Sequence, residues 1–211
     1  TYTPKHTTIG IVHLGAGAFH RAHQAVYIDD LLADDPAWAI CAVSLHNPQV
    51  RDALRPQDGL YTLALLDAQP QLRVIGAIAE VLCASDEQPA VLARLANPAV
   101  RLVTLTVTEK GYCLAGDALD LSHPDIVHDL AHPQTPRSAI GYLVAGLYAR
   151  RQHGRAPFTV LSCDNLADNG SLLRRATVLL AQQRDPALAA WIEQHVSFPR
   201  SMVDSLSLIH I

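Results

Sequence analysis

The chain has 211 residues, 49% of them hydrophobic and 17% charged, with a net charge of −4 at neutral pH. Such a composition fills a core and fits one or two globular domains. It excludes a broad cationic face for nucleic-acid phosphates or anionic lipid. His, Asp, Arg or Pro also breaks every apolar run short of the roughly 20 residues that a membrane helix needs. Residues 1–8 are polar and carry no apolar signal segment, so the expected location is the cytoplasm.

Along the chain, residues 8–14 (TIGIVHL) read as a β-branched strand ending at glycine. The following AFHRAHQAVYIDDLL repeats apolar residues at helical spacing. Residues 38–43 (WAICAV) form a continuous apolar run bounded by Pro36 and Asn47-Pro48, as expected of a parallel strand covered on both faces. Residues 61–66 and 72–75 suggest a hairpin across Ala68-Gln69-Pro70, residues 89–95 a helix, and residues 101–107 (RLVTLTV) the strongest strand. Pro136 behind a capping Thr135 opens an amphipathic helix carrying Ile140, Leu143, Val144 and Leu147. A strand at 158–162, a helix at 171–183 and a further helix opened by Asp185-Pro186 complete the alternation. Strands alternating with helices predict an α/β fold with a mostly parallel, doubly wound sheet of Rossmann type.

The four cysteines, Cys41, Cys83, Cys113 and Cys163, form no CxxC pair and are expected to be reduced and buried. Neither the pair His20 and His23 nor the group His123, His128 and His132 has zinc-site spacing, so no metal is expected.

Between the first strand and helix stands Gly15-Ala16-Gly17-Ala18-Phe19-His20. One glycine permits a sharp turn and the next lets backbone N–H groups approach a pyrophosphate at a helix start. His20 occupies the third glycine position, where it obstructs the usual close helix–strand packing. At this point a purely structural turn, a dinucleotide site and an S-adenosylmethionine site all remain open. No acid follows the second strand to hold a ribose, which leaves Ser44 or Asn47 as neutral candidates.

Together, the segments IVHLGAGAFHRAHQAVY, LTVTEKGYC, SAIGYLVAGL, FTVLSCDNLADNG and FPRSMVD resemble the mannitol dehydrogenase family, the polyol-specific long-chain dehydrogenases. TVTEKGYC, QDGLYTL and RDPALAAWIEQHVSFP resemble the sugar-acid branch typified by fructuronate reductase, also called D-mannonate oxidoreductase. The resemblance implies metal-independent hydride transfer between NAD and a polyol or sugar acid, D-mannonate or D-fructuronate first and mannitol or fructose next, with NADP left open. It implies a cofactor loop of Gly15, Ala16, Gly17, Ala18 and Phe19, since Phe-His-Arg normally follows the family's glycine turn. Ser44, Thr106 and Thr108 join the cofactor set at strand ends. Asn165 of SCDN is expected to donate a hydrogen bond to the reacting oxygen, against the plainer reading of an asparagine that caps the next helix. Asp204 of MVD is expected near the substrate.

The family's general base is a lysine in a KxxxxNxxH pattern. Lys5 and Lys110 are the only lysines here and neither has that context, so the expectation is a clipped enzyme, inactive by itself, with an apolar surface bared on its substrate side. Residues 1–197 are then the dinucleotide-binding domain and 198–204 the start of a helical catalytic domain that is otherwise missing. Residues 206–211 (LSLIHI) match a translation of sequencing-adapter DNA beginning CTGTCTCTTATACACATC, so residues 205–211 are expected to be an artificial tail. A non-catalytic NADH-binding module is the competing expectation, and an S-adenosylmethionine-dependent methyltransferase the third.

Overall fold

The computed structural model describes residues 3, 6–66 and 69–203. In chain order its strands are Ile9–Leu14 (β1), Ala39–Ser44 (β2), Tyr61–Leu65 (β3), Gln71–Ile75 (β4), Ile78–Cys83 (β5), Leu102–Leu105 (β6), Leu114–Ala115 (β7), Ala118–Leu119 (β8) and Thr159–Ser162 (β9). Its helices are Ala18–Ala22 (α1), Gln24–Leu31 (α2), Gln49–Leu54 (α3), Ala84–Ala96 (α4), Thr108–Gly111 (α5), Pro124–Ala131 (α6), Ala139–Gln152 (α7), Asn169–Arg184 (α8) and Pro186–His195 (α9).

Five strands pair in parallel in the order β5-β2-β1-β6-β9, and β3–β4 and β7–β8 are separate antiparallel hairpins. The chain winds outward from β1 through β2 to β5, then returns to the other side of β1 for β6 and β9. That reversal between β1 and β6 is the switch point at which open α/β sheets leave a crevice. Leu14 pairs with Val43 and with Leu105, and Leu105 with Ser162, so the carboxyl ends of these strands lie level along one edge.

Alternating side chains cover both faces. Val12, Leu14, Cys41, Val43, Val103 and Leu105 enter a large core with α4, α7, α8 and α9, whereas Ile11, Ile40, Ala42 and Ile78 face a smaller core under α2. This is the doubly wound, Rossmann-type arrangement, and it explains why β2 is buried along its whole length. All four cysteines are free and buried.

Several elements depart from the pattern in the sequence. The first helix is two, broken at His23 (φ −125°, ψ −88°), whose ring stacks on Phe19 at 5.1 Å and meets Tyr27 edge-on. α4 begins five residues before Pro89; Glu87, with non-helical backbone, holds its first turn by accepting the Cys83 N–H at 3.1 Å, and regular helix follows the proline. The cap of α7 is Ser138, not Thr135: the Ser138 hydroxyl accepts from Gly141 N at 2.9 Å. The Asp129 carboxylate in turn accepts from Arg137 N, Ser138 N and Ser138 Oγ at 2.6–3.0 Å. Nor is α7 amphipathic in place, because it lies between α4 and α8 with most of its residues buried. A Cβ at Gly141 would stand 2.0 Å from Asp129 Oδ2, so only glycine permits that approach. β5 went unread because Glu80 interrupts its apolar run; Arg94 Nε donates to that carboxylate at 2.8 Å.

At the opposite, amino-end edge of the sheet, the buried Arg150 guanidinium donates to four backbone carbonyls, those of Leu95, Asn97, Val100 and Ala156. Burial lowers its pKa to about 10. The β3–β4 hairpin, by contrast, shows Leu65, Leu72 and Val74 to solvent.

Candidate functional site

The site is assembled from the loops that leave the level strand ends. Gly15 leaves β1 with φ +99°, and a Cβ there would lie 2.2 Å from the Thr106 carbonyl oxygen, so the turn rests directly on the end of β6. Ala16 is buried, whereas Gly17, Ala18 and Phe19 are exposed. Gly17 is the extended N-cap of α1, and a Cβ on it would meet nothing nearer than Gly15 O at 3.8 Å. The space before the helix start is therefore open, and the first N–H groups of the helix face it without intrahelical acceptors.

His20 fills the missing glycine's place by stacking on His13 of β1, ring centroids 3.5 Å apart and planes within 10°. Two flat rings thus achieve the close helix–strand contact that glycine gives elsewhere. His13 Nδ1 lies 2.7 Å from Thr104 Oγ1, and its Nε2 lies 2.9 Å from Thr106 Oγ1 and 3.0 Å from Gly15 O. Thr104 Oγ1 and His20 Nδ1 both reach Gln24 Oε1 at 3.1 Å. Burial depresses the His13 pKa well below its ordinary value and that of His20 to about 4, so both rings are neutral at physiological pH. The pair was legible only as two histidines seven residues apart.

Thr106 donates to Gly15 O at 2.7 Å, bracing the turn from beneath. Thr108 is held at φ +64°, a costly conformation for a β-branched residue. Its N–H and that of Val107 both donate to the Asp164 carboxylate, at 3.1 and 3.0 Å, and Tyr112 OH donates to it at 2.6 Å. Burial first, then the Asp164 charge, pushes the Tyr112 phenol well above its ordinary range. Asp164 is the residue that sequence reasoning passed over: it ties the loops after the neighbouring strands β6 and β9 together. Glu109 and Lys110 stay exposed on α5.

Asn165 follows Asp164 and is exposed, with no side-chain hydrogen bond among the described residues. It caps nothing. The N-cap of α8 is Asp168, and the bracing amide is the buried Asn169, whose Nδ2 donates to Ser162 O, Asp164 O and Ser201 O. Asp204 lies outside the described residues.

Ser44 closes β2, buried, beside a cleft of about 470 Å³ lined by Leu45, His46, Ser85, Gln88, Pro136 and Tyr142. Asn47 is committed to α3, accepting from Gln49 N at 2.9 Å. Acids do reach this end of β2, but from elsewhere: Arg51 contacts Asp52, Asp86 and Glu87 at 2.8, 2.6 and 3.5 Å, and Arg55 contacts Glu87 at 2.8 Å. Three carboxylates against two guanidiniums leave that patch net negative.

Residues 9–208 match the family described as the mannitol dehydrogenase Rossmann domain. The D-mannonate oxidoreductase of Escherichia coli (strain K12) is 48% identical over 93% of the chain and 42% of its own length. A mannitol 2-dehydrogenase of Cereibacter sphaeroides is 46% identical over 98% of the chain and 45% of its own. Among solved structures, the Pseudomonas fluorescens mannitol 2-dehydrogenase ternary complex with NAD and D-mannitol superposes with a TM-score of 0.90 at 43% identity, covering 96% of this chain and 43% of that one. The chain thus spans less than half the length of these relatives.

Proposed function

The chain belongs to the mannitol dehydrogenase family, and from that premise we propose that it is the NAD-binding portion of an oxidoreductase that moves hydride between the nicotinamide and a sugar acid or polyol. D-mannonate with D-fructuronate is the first substrate pair and mannitol with fructose the second. One observation supports the reading: the open Gly17 turn and the Thr106–Thr108 loop leave β1 and β6 on the two sides of the switch point, with the exposed Asn165 in the loop after β9 on the same edge of the sheet.

The residues fit a dinucleotide. In the loop Gly15, Ala16, Gly17, Ala18 and Phe19, the Gly15 and Gly17 N–H groups are spent on Val43 O and Gly15 O and hold the turn, so the N–H groups of Ala18 and Phe19 at the start of α1 meet the pyrophosphate, and Ser44 with the adjoining cleft takes the adenosine end. The net negative patch around Arg51 and Arg55 disfavours a 2′-phosphate, which favours NAD over NADP. Thr106 and Thr108 line the nicotinamide side, where NAD, when bound, accepts the hydride. Asn165 donates its amide N–H to the substrate oxygen on which charge develops, and a substrate role for Asp204 rests on the MVD motif alone. The alcohol proton needs a general base, a role that none of these residues fills.

Calorimetric titration of the chain with NADH, NADPH and S-adenosylhomocysteine tests the binding half. NADH is expected to bind tightest; binding of S-adenosylhomocysteine alone overturns it. For the catalytic half, the full-length protein is assayed by NADH formation with D-mannonate and with mannitol, and inactivity with both refutes the proposal.

A further inference from the structure

At the wall of the cleft beside Ser44, to which Asp125 contributes, the fold brings Cys113 to two further metal-ligating side chains, His123 and Asp125. Cys113 ends the turn after α5, His123 is the N-cap of α6 and Asp125 lies in the first turn of that helix. The Cys113 thiol, a His123 ring nitrogen and an Asp125 carboxylate oxygen all lie within 4.8 Å of one another. We infer that Cys113, His123 and Asp125 bind one divalent ion of the zinc class, which clips the base of the β7–β8 hairpin to the start of α6.

Each ligand is prepared for the role. Cys113 is 5% exposed, and its Sγ has no hydrogen-bond partner among the described residues. The thiols of Cys83 and Cys163, by comparison, contact Ser85 Oγ and Leu161 O. A φ of +54° at Cys113 is costly for a residue with a Cβ and aims the thiol into the cluster. His123 Nδ1 accepts the Asp125 N–H at 3.2 Å, which keeps that nitrogen unprotonated, and it stands 3.9 Å from Asp125 Oδ2.

The surroundings favour a dication. The carboxylates of Asp125, Asp129 and Asp120 place negative charge around the Cys113 thiol. The same negative field attracts a cation. The Asp129 carboxylate is already saturated by Arg137 and Ser138, and His128 Nδ1 lies against it at 3.2 Å, so Asp129 contributes charge without ligating. Tetrahedral zinc places its ligand atoms about 3.5 Å apart, so rotamer shifts of about 1 Å close the site, with water in the fourth position. A thiolate, imidazole and carboxylate set selects zinc or cobalt over magnesium or calcium. As the sulfur–metal bond forms, the thiol proton passes to solvent, one proton released per ion. The sequence pattern had promised no metal because the spacing is that of no zinc motif; the hairpin, not a CxxC turn, brings the ligands together. The ion is a structural clip and takes no part in hydride transfer.

Metal-free protein is titrated with Co(II) and watched for the near-ultraviolet thiolate-to-cobalt charge-transfer band. One equivalent is expected to develop the band in the wild type and in Cys163→Ser. Cys113→Asn, whose asparagine tolerates the left-handed backbone, is expected to lose it. Asp125→Ala is expected to weaken cobalt binding by about tenfold or more. Zn(II) should raise the thermal unfolding midpoint of the wild type but not of Cys113→Asn. Absence of the band at saturating cobalt, or its survival in Cys113→Asn, overturns the assignment.

Discussion

Acid should loosen this fold through the stacked imidazoles beneath the glycine turn. The His20 pKa is depressed from 6.5 to about 4, chiefly by burial. Its neutral form is therefore favoured in the folded state, and protonation favours the unfolded chain. The contribution is intact above pH 6.5, declines as pH falls toward 4, and is exhausted below that, where both states carry the proton. A difference of about 2.5 units corresponds to about 3 kcal/mol in full, of which about 2 kcal/mol is lost by pH 5. His13, shifted in the same direction, adds to the loss. Urea unfolding at pH 7.5 and pH 5.0 measures it, with His20→Phe as the reference that keeps a ring on the stack and removes its titration. The variant should lose about 2 kcal/mol less between the two pH values than the wild type. Equal losses, or a His20 ring proton that titrates near 6.5 by NMR, would refute the reasoning.

Gly15→Ala forces a Cβ onto the Thr106 carbonyl at positive φ, so NADH affinity should fall by more than about tenfold by calorimetry, with a stability loss of about 1–3 kcal/mol. Asp164→Asn removes the charge that receives two N–H groups and the Tyr112 hydroxyl; the unfolding midpoint should drop by the equivalent of about 1.5–3 kcal/mol, and an ultraviolet titration should show the phenol ionising at lower pH than in the wild type. In the full-length enzyme, Asn165→Ala should lower kcat by about 10²–10³ with little change in NADH affinity. Leu72→Lys with Val74→Thr should reduce binding of a hydrophobic dye, since both side chains stand exposed on the β3–β4 hairpin.

Periodicity carried most elements of the sheet because buried parallel strands are rich in apolar and β-branched residues, as in β1, β2 and β6. It failed at β5, where Glu80 is paired with Arg94, a residue fourteen positions away whose part no local window records. It also took α1 and α2 for one helix, since nothing in the local pattern marks the break at His23. Gly15, Thr106 and Asn165 stand in the loops that leave β1, β6 and β9, but the side chains that shape their surroundings make long-range contacts. His13 reaches Thr104 and Thr106, Asp164 reaches across to β6, and Asn169 reaches Ser201. The reading of Asn165 as a helix cap is displaced because Asp168 occupies that position.

Arg150 gathers carbonyls where β6 and β9 begin, while every proposed contact to cofactor or substrate lies where strands end. The two edges are separated by the length of the strands, with no polar chain described between them. Variation can therefore proceed at either edge with little penalty at the other: loops at the carboxyl ends can be rewritten for a new sugar while a guanidinium at the far rim keeps the scaffold closed.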